Sequence, residues 1–115
     1  MAPPLRITTT LVQVLEVFLT EPTVERYGLD VMRATGCPSG TVYPILVRLQ
    51  GIGWLQARWE EIDPVQAGRP ARRWYRLTPE GVQSARAELA AYRQRRAAAQ
   101  GDRRGAVQPR PTWDS

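Results

Sequence analysis

The sequence predicts a mainly α-helical domain with one small β-hairpin, and three observations lead to that fold class. Apolar residues recur at helical spacing in four segments of the chain. Two short segments alternate apolar and polar residues instead, with the period of a half-buried strand. The length of 115 residues allows one domain with a single core, and no second domain.

Composition and charge narrow the class of protein. The net charge is +5 and all 16 basic residues are Arg, which favours bidentate contacts to phosphate or guanine, although genome base composition can produce the same bias. No apolar run approaches the ~18 residues of a membrane span. The single thiol, Cys37, cannot form an internal disulfide. We therefore expect a soluble, cytoplasmic protein with no membrane segment.

The amino-terminal part predicts an arm followed by a helix. Residues 1–7 include two prolines and predict a flexible arm. Thr10 with Gln13 fits a capping box, and the apolar spacing that follows predicts a first helix from about Thr9 to Leu19. Its apolar positions cover more than one side: Leu11, Val12, Val14, Leu15, Phe18 and Leu19.

A helix-turn-helix is predicted next. The second helix runs from about Val24 to Ala34, with Gly36 as a left-handed stop. A turn over residues 35–38 leads to the third helix, which Ser39 can cap and Gly53 closes. The inward residues of the second helix are predicted to be Val24, Tyr27, Val31 and Met32.

The third helix has two different faces. One is apolar and predicts core, through Val42, Ile45, Leu46, Leu49 and Ile52. The opposite face is small, hydroxylic and basic, which suits close approach to a phosphate backbone with a few side chains at base edges. An ordinary surface helix is the alternative, and Pro44 predicts an irregular first turn. This opposite face consists of Gly40, Pro44, Val47 and Arg48, with Thr41 and Tyr43 at its edges.

The two alternating segments predict a hairpin with a long loop, a wing. Leu55, Ala57 and Trp59 share the inward face of its first strand. The Asp-Pro and Gly-Arg-Pro sequences of the loop exclude regular structure, and the loop tip is expected to be basic, with Asp63 as the only nearby acid. A merely solvated hairpin is the alternative reading of such a charge run. Its arginines are Arg69, Arg72, Arg73 and Arg76.

The last helix begins at Thr78, with Pro79 at its first position and Glu80 in its first turn. We expect the winged helix-turn-helix domain to span residues 8–100, with a dimerisation helix over about 78–100 and a disordered tail over 101–115. The first and last helices carry surplus apolar surface, which predicts pairing of two copies. The residues expected at this dimer interface are Leu11, Leu15, Phe18, Val82, Leu89 and Tyr92.

Catalysis has no support in the sequence. The chain contains no His, and no Ser or Cys stands beside a plausible base. Glu60 and Glu61 are adjacent in sequence and do not predict a pair of carboxylates facing each other across a site. We therefore expect no enzyme, no catalytic residue, no cofactor and no metal site.

Three stretches together resemble the PadR-like winged-helix transcriptional regulators. They are Tyr27 to Gly36, Pro38 to Leu55 and Gly68 to Gly81, and they cover about half the chain. The resemblance implies a homodimeric DNA-binding repressor of the compact branch of that family, with the third helix in the major groove. It also implies base and backbone contacts by Ser39, Thr41, Tyr43 and Arg48, and wing contacts by Arg69, Arg72 and Arg73.

The residues themselves add one contact and leave two rival functions. Val47 has no core role on the exposed face and can meet a thymine methyl group. A winged-helix module that binds another protein is the main alternative, and RNA binding is a weaker one. The expected partners are double-stranded DNA and a second copy of the chain, whereas the sequence identifies no small-molecule or protein effector.

Overall fold

The computed structural model describes the backbone of residues 6–107 and the side chains of residues 6–101. Its helices and strands confirm a mainly helical fold with a small antiparallel sheet. In chain order they are α1 (Thr9–Thr20), β1 (Arg26–Tyr27), α2 (Gly28–Thr35), α3 (Ser39–Gly51), β2 (Leu55–Trp59), α4 (Pro64–Ala67), β3 (Arg73–Leu77) and α5 (Pro79–Val107).

The start of α1 differs from the predicted capping box. Thr8 is the cap, and its hydroxyl accepts the amide hydrogen bond of Leu11 at 3.1 Å. Thr10 already has helical backbone and therefore cannot cap. Ile7 packs against the core, so the predicted arm over residues 1–7 is too long at that end, and residues 1–5 lie outside the described part.

The second helix is shorter than predicted. Residues 26–27 form β1, which pairs antiparallel with β3, and α2 therefore begins at Gly28. Val24 is exposed, so the prediction that it faces the core is wrong, whereas Val31 is fully buried. Gly36 ends α2 with a φ of 73°, which confirms the predicted left-handed stop.

The cap of α3 is Pro38 and not Ser39, which lies inside the helix as its first residue. The Pro38 carbonyl accepts from the amides of Thr41 and Val42, both at 3.0 Å. Pro44 lies inside a continuous helix, so the predicted irregular turn is limited to that shared carbonyl. The missing N–H of Pro44 removes the helical donor of the Gly40 carbonyl, and Gly40 is exposed to solvent, which can replace it.

The sheet has the strand order β1-β3-β2. In the hairpin, Leu55 pairs with Leu77 and Trp59 with Arg73. Leu55 is buried, but Trp59 is 61% exposed, because the strand runs past the edge of the core before it ends. The prediction that Trp59 faces inward is therefore wrong.

The end of the hairpin is tied to the start of α5. The Thr78 hydroxyl donates to the Gly53 carbonyl at 2.7 Å and accepts from the Gly81 amide at 2.9 Å, which confirms Thr78 as the cap. Gly81 is buried against the backbone of Trp54, where a β-carbon would overlap the carbonyl oxygen. The helix continues to Val107 and so overlaps the first residues of the tail over 101–115 for which disorder is predicted, whereas residues 108–115 lie outside the described part.

The core lies between the helices and one face of the sheet. α1 contributes five buried residues to it, because α5 covers the side of α1 that α2 and α3 leave open. The buried residues of the whole core are Leu11, Val12, Val14, Leu15, Phe18, Val31, Val42, Leu46, Leu49, Leu55, Tyr75, Leu77, Ala85 and Leu89.

Candidate nucleic-acid interface

The exposed face of α3 is the first part of the candidate interface. Val42, Leu46 and Leu49 are fully buried, and this fixes which side of the helix remains outside. Val47 is 62% exposed although it is a branched aliphatic residue. The sequence of α3 contains no acidic residue, so this face presents no carboxylate of its own. The predicted contact residues Ser39, Tyr43, Val47 and Arg48 are all exposed, and Thr41 is half-buried.

The phenol of Tyr43 lies against the first residue of α2. A β-carbon at Gly28 would overlap the phenol, so a side chain at position 28 would displace the ring. Gly28 therefore leaves the space that the Tyr43 ring occupies where α2 starts. The phenol stays 41% exposed, which leaves it accessible from solvent.

The tip of the wing is not basic. Residues 64–67 form the single helical turn α4, with Asp63 as cap through its bond to the Val65 amide at 3.0 Å. The prediction that this loop contains no regular structure is therefore wrong, because Asp-Pro supplies a helix cap and a first helical residue. Val65 is 88% exposed at the tip.

Arg69 is turned away from the tip by an acid that sequence reasoning missed. Its two terminal nitrogens donate to the two carboxylate oxygens of Glu60, at 2.7 and 3.0 Å. The pKa of Glu60 is lowered to about 2, first by the hydrogen bonds from the Arg69 side chain and then by the Arg72 amide. The positive charges of the two arginine side chains lower it further. The prediction that Asp63 is the only nearby acid is wrong.

Arg72 and Arg73 each stack on an aromatic ring. The guanidinium carbon of Arg72 lies 4.6 Å from the ring centre of Tyr27, and that of Arg73 lies 5.1 Å from the ring centre of Trp59. Stacking aligns a guanidinium while its in-plane N–H groups stay able to donate. These side chains surround an open cup of about 440 Å³ between α3 and the wing. The cup is lined by Tyr27, Gly28, Tyr43, Trp59, Arg69, Pro70, Ala71, Arg72 and Arg73.

The geometry joins a helix-turn-helix to a wing whose arginines lie beside the exposed helix face. Comparison with known proteins identifies the same architecture: the profile of the transcriptional regulator PadR-like family matches residues 19–87, more than half of the chain. The chain belongs to the PadR-like family.

Three solved structures illustrate what this PadR-like protein is similar to. A PadR family transcriptional regulator from Eggerthella lenta is 26% identical, with a TM-score of 0.60 over 87% of this chain and 84% of that one. The smu.1704 protein from Streptococcus mutans is 23% identical, with a TM-score of 0.64 over 96% and 100%. BpsR from Bordetella bronchiseptica, whose DNA binding is regulated by 6-hydroxynicotinic acid, is 18% identical, with a TM-score of 0.61 over 85% and 67%. No curated protein sequence matches the chain significantly.

The residues predicted for the dimer interface are mostly used inside the PadR-like chain itself. Leu11, Leu15, Phe18 and Leu89 are at most 3% exposed in a single copy. The surplus apolar surface inferred for α1 is therefore wrong, because α5 of the same chain covers it. Val82 and Tyr92 are half-buried, and the Tyr92 hydroxyl lies 3.2 Å from that of Thr9.

Sequence reasoning missed three side chains of the candidate interface: Tyr27, Trp59 and Glu60. The signal for Glu60 was the hairpin register, since pairing of Trp59 with Arg73 places Glu60 opposite Arg72. The signal for Trp59 was the same pairing, because side chains directly opposite each other share one face of the sheet. Tyr27 depends on β1, whose two residues carry no pattern.

Other kinds of site find no support in the described part of the PadR-like chain. In residues 6–101, no group of three or more His, Cys, Asp or Glu side chains is placed to hold a metal ion. Within the same part of the protein, no helix combines the length and apolar character needed to cross a membrane. Cys37 is half-buried in the turn between α2 and α3.

Proposed function

We propose that this protein is a sequence-specific DNA-binding transcriptional regulator that acts as a repressor from an inverted-repeat operator. The observation that carries the proposal is the juxtaposition of the exposed, acid-free face of α3 with the stacked arginines of the wing, in a member of a transcriptional regulator family. A helix of this kind fits the major groove, and the arginines beside it meet the phosphate backbone that borders the groove. As a regulator of transcription, the protein is proposed to act in the cytoplasm.

The proposed contacts fall into two classes. Arg48 and Val47 lie on the outward face of α3, where they can reach base edges, guanine for the first and a thymine methyl for the second. Tyr43, Arg72 and Arg73 line the cup and are proposed to donate to phosphate oxygens. Ser39 and Thr41, near the amino terminus of α3, complete the proposed phosphate contacts.

Substitution of the arginines separates the two classes. We expect Arg48→Ala to cost about 1–3 kcal/mol at one or two base positions and to relax the preference there. Arg72→Ala and Arg73→Ala are expected to weaken binding to all DNA sequences alike. Each should also reduce by about 1 the salt slope, which is the slope of the logarithm of affinity against the logarithm of salt concentration. Fluorescence titration against a cognate and a scrambled duplex measures both. Equal, sequence-independent losses from all three variants would make Arg48 a phosphate contact instead.

We infer further that the protein works as a homodimer paired through the outer part of α5. This helix has 29 residues, about 43 Å at 1.5 Å per residue, and its residues from Arg93 to Gln100 are exposed in the single copy. A groove beside it is lined by residues of both α1 and α5, among them Gln13, Tyr92 and Arg96. A second copy related by a two-fold axis would set two α3 helices about 34 Å apart, or a multiple of that.

The dimer is tested by breaking α5 beyond the core. Leu89 is one of the residues predicted for the dimer interface, but Leu89→Arg cannot test the dimer because Leu89 belongs to the core and a charge there would disturb the fold. We expect the wild type to sediment as a dimer at micromolar concentration and Ala98→Pro, at an exposed position, as a monomer with roughly 10²-fold weaker binding to an inverted repeat. Ala98→Ser is the matched control and should remain dimeric. A wild-type monomer that binds such a site tightly would contradict the dimer but not DNA binding.

Selection from a random pool of double-stranded DNA tests the function as a whole. We expect the wild-type protein to enrich an inverted repeat whose half-sites are spaced by whole turns of the double helix. The rival function, a winged-helix module that binds an acidic protein surface, predicts no enrichment.

A further inference from the structure

The ion pair between Glu60 and Arg69 occupies a particular place in the hairpin. Glu60 directly follows β2, and its amide donates to the Arg72 carbonyl at 2.8 Å, one step beyond the last pair of the sheet. Its carboxylate accepts three hydrogen bonds, two from Arg69 and one from the Arg72 amide at 3.2 Å. One side chain thus joins both ends of the wing loop over residues 61–71.

Arg69 is committed to this contact more fully than the other wing arginines. Both of its terminal nitrogens bond to Glu60, and one of them also donates to the Pro70 carbonyl at 3.2 Å. The Glu60 side chain is 17% exposed and the Arg69 side chain 34%, so the pair is partly shielded from solvent and salt. Arg72 and Arg73, by contrast, lie over the faces of aromatic rings. These stacking contacts do not use the N–H groups in the guanidinium planes.

We propose that Glu60 and Arg69 form a clasp that positions Arg72 and Arg73 for phosphate, and that Arg69 itself does not contact DNA. The inference rests on the proposed function and assigns Glu60 and Arg69 as positioning residues within it. An acid close to a phosphate site is repulsive in itself, so the pairing of Glu60 with Arg69, which lines the cup, is explained by what the acid holds. The clasp adds side-chain bonds at the ends of a long loop that are otherwise held by the backbone bond from Glu60 to Arg72 and by the sheet pairs that begin with Trp59 and Arg73.

The direction in which one substitution changes the DNA affinity distinguishes positioning from direct contact. Glu60→Gln removes a negative charge near the DNA, and Glu61→Gln removes the same charge from the next residue, which is exposed. If the clasp positions the wing, Glu60→Gln is expected to bind DNA about 3- to 10-fold more weakly than the wild type, since a neutral amide makes weaker bonds to Arg69. Glu61→Gln is expected to bind equally well or slightly more tightly.

The salt slope gives a second reading. Because Arg69 is proposed to make no phosphate contact of its own, the double variant Glu60→Gln with Arg69→Gln should have the same slope as Glu60→Gln alone, whereas Arg72→Ala should lose about 1 from the wild-type slope. A slope lower by about 1 in the double variant than in Glu60→Gln, or unchanged or tighter binding by Glu60→Gln, would overturn the proposal.

Hydrogen exchange keeps this test separate from the proposed function. In the full-length protein without DNA, Glu60→Gln should speed exchange of the Arg72 amide while the amides of Trp74 and Arg76, which face β2 in the same ladder, keep their protection. Unchanged exchange at Arg72 would overturn the clasp even if DNA binding is confirmed. If the wild type binds no DNA but the exchange result is as expected, the proposed function fails and the clasp remains as a feature of the wing.

Discussion

Between 50 and 200 mM salt, the affinity of this protein for double-stranded DNA is expected to fall by about 10², if each dimer neutralises roughly four phosphates. Two arginines of each subunit, Arg72 and Arg73, are proposed to meet phosphate, whereas Arg48 is proposed to meet base edges. Arg69 is left out of this sum because its charge is opposed by Glu60 at 2.7 Å. Fluorescence titration of a labelled duplex at a series of salt concentrations measures the slope.

The slope also discriminates between the functions considered. Circular dichroism at the same salt concentrations serves as control, since the fold must not change over the range. Affinity that stays flat, or no binding to any duplex at low salt, would contradict DNA binding and favour a protein partner. A steeper fall, near 10⁵, would indicate about ten phosphates and additional contacts outside the cup.

Gly81→Ala is expected to destabilise the fold by about 1–3 kcal/mol, because the new methyl group would overlap the Trp54 carbonyl and force two backbone segments apart. For a domain of this size the melting temperature should fall by roughly 5–20 °C. The contact joins the start of α5 to the turn after α3, so neither partner is the free end of a flexible side chain. Thermal unfolding followed by circular dichroism measures the effect.

Gly101→Ala is the matched control for that substitution. It lies in the same helix, and a β-carbon there would meet nothing within 4 Å. Since Ala has a higher helix propensity than Gly, this variant should be unchanged or slightly more stable. Equal melting temperatures for the two variants would show that the close approach at Gly81 can relax without cost.

Much of the fold was predictable because periodicity reports burial directly. The stripe from Val42 to Leu49 identified the buried side of α3, and its complement identified the exposed face. The prediction that failed concerns which elements cover α1. The apolar width of α1 shows only that two sides are covered, and it cannot distinguish α5 of the same chain from α1 of a second copy.

Short elements and side-chain pairs were the other limit. β1 has two residues and exists only through its pairing with β3, so no local pattern could reveal it. α4 is not evident from the sequence because Pro64 is typical of a break in regular structure, although Asp63 before it supplies a helix cap. The Glu60 to Arg69 pair requires the hairpin register together with the path of the loop, whereas the alternation of apolar and polar residues indicates only which residues share a strand face.

The stacking of Arg72 and Arg73 has a consequence for the entropy of binding. An unrestrained arginine side chain carries about 2 kcal/mol of rotamer entropy, part of which is lost when it binds a phosphate. Here Tyr27 and Trp59 restrict both side chains before any ligand arrives, so this loss falls on folding instead of on association. Lysine at either position would keep the charge and lose the restraint, which makes the two rings as important to affinity as the cations they hold.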